Sequence, residues 1–189
     1  MTIPMFKVRM AEDLALGEGL QSGYIAQGPK VELLEQELQK YTGSPFCATV
    51  NSGTSALHLA LRMVKETSKL YQVVSPWVNR QRNVVLTIPL TCTATNFPIL
   101  ANGLELKWVD TDPNTANVDL SDLKRKMGPR VVAIMVVHWA GTPCDLDAIA
   151  EIQDEAERDY GYRPPLIEDA AHAFGAEWDG KMLGNHGNY

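Results

Sequence analysis

The chain has 189 residues, 45% hydrophobic and 21% charged, the size of roughly one domain and apolar enough for a core without disulfide or metal staples. That composition excludes a disordered tail. Seventeen basic and 23 acidic residues leave a net charge of −6, and the longest basic run is Lys124-Arg125-Lys126, so nucleic acid is not an expected partner.

In chain order, residues 1–30 read as an irregular segment. Gly28-Pro29 then opens a helix with Val31, Leu34, Leu38 and Tyr41 at helical spacing, expected to pack one face. Phe46 to Val50 reads as a short buried strand, Asn51-Ser52-Gly53-Thr54 as a tight turn and Ser55 to Val64 as a helix. The polar stretch from Lys65 to Asn83 reads as a linker. Strands follow at Val84 to Ile88 and Leu104 to Val109. Between them Thr91 to Ala101 is a helix weakened by its threonines and Pro98. Asp119 or Ser121 caps a short helix to Lys126, and Arg130 to Val137, nearly all Val, Ile and Met, reads as a strand buried on both faces. Asp145 starts a helix to about Tyr160, Leu166-Ile167-Glu168 begins another strand, and Phe174 to Leu183 forms a hairpin turning at Asp179-Gly180. The alternation predicts an α/β fold, a mostly parallel sheet flanked by helices, with chemistry beyond the carboxyl ends of the strands.

Three cysteines, Cys47, Cys92 and Cys144, form no CxxC pair, which suits a reducing compartment. The N-terminus has no signal-peptide core and no apolar run reaches membrane-spanning length, so the expectation is a soluble, cytoplasmic protein without a membrane partner. Two places can carry chemistry. Asn51-Ser52-Gly53-Thr54-Ser55 at a helix start offers free N–H groups, the helix dipole and hydroxyls to a phosphate; an ordinary N-cap explains the same residues. Asp169, at a strand end before Ala170, Ala171 and His172, can pair with a protonated ring nitrogen. The alternative makes Glu168 and Asp169 solvated acids and His172 a satisfied core histidine, and His138 carries the same ambiguity. Cys92, Cys144, His138 and His172 show no metal-ligand spacing, so no metal is expected. Gly175 to Gly187 lacks both the Walker and the GxGxxG spacing.

Taken together, Gly28-Pro29-Lys30-Val31 with Glu35, Asn51 to Leu61, Pro89 with Thr91 to Asn96, Trp108-Val109-Asp110, Val137-His138 with Gly141, Asp145-Leu146-Asp147, and Glu168 to Ala176 with Gly180-Lys181 and Gly184 resemble the sugar aminotransferases of the DegT/DnrJ/EryC1/StrS family. These are pyridoxal phosphate enzymes of fold type I. The resemblance implies that Gly53, Thr54 and Ser55 hold the cofactor phosphate, that Asp169 pairs with the pyridinium nitrogen, and that His172 stands near the ring. Cys92 falls where many members stack an aromatic residue on the ring. Gly23 and Tyr24 match a segment that helps bind the nucleotide-sugar, often across a dimer interface. The family's Schiff-base lysine has no counterpart here, Lys181 reading as a solvated hairpin residue, so no catalytic residue is expected in this chain.

The resemblance makes residues 31–189 an incomplete large cofactor-binding domain without the small C-terminal domain, leaving an unpaired sheet edge. A second polypeptide carrying the lysine and the C-terminal half is the expected partner, in a dimer of the assembled unit; a fragment of an ordinary enzyme is the simpler alternative. Rival functions are a lysine-less pyridoxamine phosphate sugar dehydratase, a non-catalytic binding module of the same fold and a nucleotide-binding α/β domain of another kind.

Overall fold

A computed structural model describes residues 16–24, 26–74 and 82–189. Its centre is a parallel sheet of β1 (Val84–Thr87), β2 (Glu105–Trp108), β3 (Val131–Val137) and β4 (Leu166–Asp169), in spatial order β2-β1-β3-β4. Every residue of β1 and β3 is buried; apart from Thr87 at the end of β1 both are apolar throughout, and both faces are covered accordingly. Helices α3 (Gly53–Val74) and α4 (Thr93–Ala101) lie on one face, where Leu61, Val64 and Ile99 pack on Val85, Met135 and Ile167. On the other, Leu123 of α5 (Leu120–Lys126) and Ile149 of α6 (Leu146–Tyr160) join Leu86 and Ile134. Each such fully buried side chain contributes about 1.5–3 kcal/mol. The fold class expected from the sequence is the one observed.

Local chemistry sets the helix ends. Asp119 caps α5 by accepting from Asp122 N at 2.8 Å, and Asp145 caps α6 by accepting from Ala148 N at 2.9 Å. Gly161, at φ 68°, ends α6 in the left-handed conformation that a side chain would strain. The hairpin β5 (Glu177–Trp178) and β6 (Lys181–Met182) turns at Asp179 and Gly180, both with positive φ.

Four expectations are corrected. Phe46 to Val50 forms no strand, and Phe46 is 85% exposed; Thr49 is tied instead to Glu35 of α2 (Pro29–Thr42) through its N–H and hydroxyl, at 2.7 and 2.8 Å. Helix α2 buries no residue, leaving Leu34 and Tyr41 exposed, so its apolar stripe does not meet the core. The supposed linker is helical as far as Val74, because its charges pair along the helix, Glu66 with both Arg62 and Lys69, while Val64 and Ser68 face inward; its residues 75–81 lie outside the described residues. The irregular 1–30 segment contains α1 (Leu16–Gln21) and the first residues of α2; its residues 1–15 and 25 are outside the described set. Of the sheet's two edge strands, β4 is bonded on its outer side: Leu166 O accepts from Asn188 N at 2.8 Å, and Glu168 N donates to Tyr189 O at 3.0 Å. Among the described residues no helix is long and apolar enough to cross a membrane.

The chain leaves β1 for β2 on one side and returns to β3 on the other, so the sheet's topological switch lies between β1 and β3. In open α/β sheets a ligand binds at such a switch, beyond the strands' carboxyl ends.

Candidate active site

Strand alternation separates the two acids at the end of β4. Ile167 packs toward α3 and α4, and two residues on, Asp169 turns the same way, its Oδ2 accepting from Thr95 Oγ1 at 2.7 Å. Thr95 sits in the first turn of α4, 1% exposed, and its hydroxyl also lies 2.8 Å from that of Thr91. A hydroxyl has one proton, and a carboxylate only accepts. Thr95 therefore gives its proton to Asp169 and accepts one from Thr91. The second oxygen, Oδ1, accepts from Ala171 N at 3.2 Å. Asp169 is thus half-buried and fixed, not the solvated strand-end acid of the alternative reading.

Glu168 points to the opposite face, where solvation was the alternative expectation and is not observed. Its Oε2 lies 3.0 Å from His138 Nε2 with neither side chain exposed, and it accepts further bonds from the N–H groups of Gly184 and Gly187. His138 Nδ1 accepts from Cys144 N at 3.1 Å, so the ring proton resides on Nε2 and is donated to the carboxylate. Burial would raise the Glu168 pKa, but the donors from His138, Gly187 and Gly184 outweigh it and hold the group below 4.5. His138 is therefore the satisfied core histidine, and Cys144 meets it through a backbone amide. Among the described residues no three His, Cys, Asp or Glu side chains group to hold a metal.

At the start of α3 the N-cap of the one reading is present, and the donors that the phosphate reading needs are left free. Ser52 caps the helix, its Oγ accepting from Ser55 N at 3.2 Å, while Ser55 Oγ bonds Asn51 Oδ1 at 2.7 Å. The N–H groups of Gly53 and Thr54 have no partner among the described residues, and a Cβ built on Gly53 would meet open space. Two free amides at the positive end of a long helix suit a phosphate. With a carboxylate for a ring nitrogen at Asp169, this donor set fits pyridoxal 5′-phosphate.

His172 is exposed, not a core histidine: its Nδ1 accepts from Ala140 N at 3.3 Å and its ring meets Trp139 edge-on at 5.2 Å. The donor is presented by a 3-10 turn, Trp139–Gly141, in which Ala140 has φ 52° and Gly141 φ 84°; such outliers gather at functional sites. Cys92 is the exposed N-cap residue of α4, next to Thr91. Gly23 and Tyr24 follow α1 on the surface, with no described hydrogen bond to Asp169 or the Gly53 turn. Lys181 is exposed in the hairpin, and Lys65, Lys107, Lys124 and Lys126 bond to Asn102 O, Lys126 O, Glu155 and Asp122 respectively. Sequence reasoning gave Thr91 and Thr95 no role at the site, counting them as weak helix formers and as part of the stretch that carries the family resemblance. Their four-residue spacing across a helix start was the available signal.

The sequence model of the DegT/DnrJ/EryC1/StrS aminotransferase family matches residues 8–189. The spore coat polysaccharide biosynthesis protein SpsC of Bacillus subtilis is 33% identical over 171 residues, covering 90% of this chain and 39% of SpsC. The sugar aminotransferase CalS13 of Micromonospora echinospora superposes with a TM-score of 0.86 at 42% identity, over 98% of this chain and 47% of CalS13. The PLP form of the putative sugar aminotransferase Spr1654 of Streptococcus pneumoniae superposes with a TM-score of 0.76 at 27% identity, over 88% and 42% of the two chains. The chain spans less than half the length of each of these three relatives.

Proposed function

The chain belongs to the DegT/DnrJ/EryC1/StrS aminotransferase family, and from that premise we propose that it forms the cofactor-holding part of a pyridoxal 5′-phosphate enzyme moving an amino group, with glutamate as donor, onto a keto carbon of a nucleotide-linked sugar. The observation that carries this reading is Asp169, a carboxylate fixed at the end of β4 by Thr95 and Ala171 N. The names of SpsC and CalS13 support a sugar substrate.

In this reading the cofactor, when bound, supplies an electron sink for carbanion chemistry. Asp169 holds a proton on the ring nitrogen. The amides of Gly53 and Thr54 bind the phosphate, joined by the Ser55 hydroxyl once it turns away from Asn51 Oδ1. His172 and Cys92 border the ring, and Gly23 and Tyr24 serve the nucleotide-sugar from a neighbouring subunit of a dimer. The remaining length of the relatives, on the same polypeptide or on the second chain expected above, brings the lysine.

The test is visible absorbance of the complete protein after loading with pyridoxal 5′-phosphate and removing the excess. A retained, borohydride-reducible band that Asp169→Ala abolishes, together with glutamate consumption in the presence of a keto-sugar nucleotide, is expected. Equal cofactor retention by wild type and Asp169→Ala overturns the reading.

A further inference from the structure

The threonines around the start of α4 are absorbed neither by the helix nor by the cofactor contacts named above. The first turn of α4 is anchored to β1 independently of Asp169: Thr87 Oγ1 donates to Asn96 Oδ1 at 2.9 Å, and Asn96 Nδ2 donates to Ile88 O at 3.1 Å. Both Thr87 and Asn96 are buried. Thr95 is next to Asn96, so its hydroxyl is presented from a rigid element. Asp169 ends β4, two strands away from β1 across β3. The bond from Thr95 Oγ1 to Asp169 Oδ2 therefore ties the start of α4, which follows β1, to the end of β4 on the other side of the switch. Thr91 donates into the same oxygen that supplies Asp169. The positive end of α4 adds to the attraction for the carboxylate.

We propose that Thr95 is the positioning residue for Asp169, and that Thr91 acts through it, the two hydroxyls forming a relay that orients the carboxylate toward the cofactor's ring nitrogen. This inference rests on the cofactor reading above. The relay has a direction. Thr91 gives its proton to Thr95 and Thr95 gives its own to Asp169, so the contribution of Thr91 exists only while Thr95 keeps its hydroxyl. Thr95→Ser preserves the relay, whereas Thr95→Val keeps the side-chain shape and removes it.

The experiment measures affinity for pyridoxamine 5′-phosphate, which carries the same ring nitrogen and phosphate but no aldehyde, in the complete protein. Thr95→Val is expected to weaken binding about tenfold, the loss of one hydrogen bond to a charged group. Thr95→Ser is expected to stay within about twofold, and Thr91→Val to weaken binding about threefold alone. In the Thr95→Val background Thr91→Val is expected to add nothing, because coupled partners are non-additive. Unfolding without the cofactor serves as control. If Thr95→Val lowers the melting temperature yet binds like wild type, or if the two valine substitutions are additive, the relay is overturned. Should Thr95→Val not fold, the Thr91→Val and Thr95→Ser affinities decide: a Thr91→Val protein that binds like wild type, or a Thr95→Ser protein that loses tenfold, overturns it. Asp169→Ala separates the two readings: unchanged affinity there removes the cofactor reading itself, whereas a loss there with none in Thr95→Val removes only the relay.

Discussion

His138 and Glu168 form a buried pair, Nε2 to Oε2 at 3.0 Å, that joins the end of β3 to β4 and, through the carboxylate, to the Gly184 and Gly187 amides. Replacing Glu168 with Gln leaves the buried ring and two amides competing for one carbonyl oxygen. Glu168→Gln is expected to destabilise the protein by about 3 kcal/mol in urea unfolding. The folded pKa lies below 4.5, so this carboxylate's contribution is complete above that value and is lost as pH falls through the folded pKa. The wild type is therefore expected to lose stability on acidification below pH 4.5 more steeply than the Gln variant.

Asp122 answers to the same reasoning on α5. Its hydrogen bond from Lys126, with further donors from Asp110 N and Arg125, overcomes burial and lowers its pKa to about 2. Because the folded value is depressed, the stabilisation is present above the ordinary value of 3.8 and disappears between there and about 2. Asp122→Asn is expected to cost about 2 kcal/mol at pH 7 and little at pH 2, measured by thermal unfolding at both.

The capped turn before α3 separates two roles. Ser52→Ala removes the cap and is expected to cost about 1 kcal/mol of stability, whereas Gly53→Val places a side chain in the open space before the free amides. Gly53→Val is expected to abolish retention of pyridoxal 5′-phosphate, read by absorbance after desalting, at a stability cost below that of Ser52→Ala.

The three thiols differ in access. Burial pushes the Cys144 thiol up to about 12, and burial followed by the Glu35 charge raises that of Cys47. Cys92 is exposed at the start of α4. Limiting iodoacetamide at pH 8 is expected to label Cys92 first, Cys47 more slowly and Cys144 only after unfolding, read by peptide mass spectrometry. Cofactor loading is expected to protect Cys92 alone.

Every strand of the sheet was legible, because β3 is apolar without interruption, β1 is apolar up to Thr87, and turn residues bound the others. Asp119, Asp145 and the Asp179-Gly180 turn were legible for the same local reason. Phe46 to Val50 misled because an apolar run of that length has the same composition whether it pairs in a sheet or lies unpaired beside α2. Charge misled in the opposite sense between Lys65 and Val74, where ion pairs along one helix face look like a polar linker. Within the site, Asp169 and Gly53 announced themselves by position. The roles of Thr95, Glu168 and His138 depend on partners 74 and 30 residues away, which local spacing does not reveal.

The strand order also dictates a sequence of events at the ribosome. β1, buried at every residue, is an inner strand made before both of its neighbours, so the nascent chain carries it unpaired until β2 and then β3 emerge. Such a segment, apolar and with open edges, is the kind that associates wrongly while it waits. Slowing translation between β1 and β3 is expected to lower the soluble yield of this chain, and a chaperone that shields apolar segments to restore it.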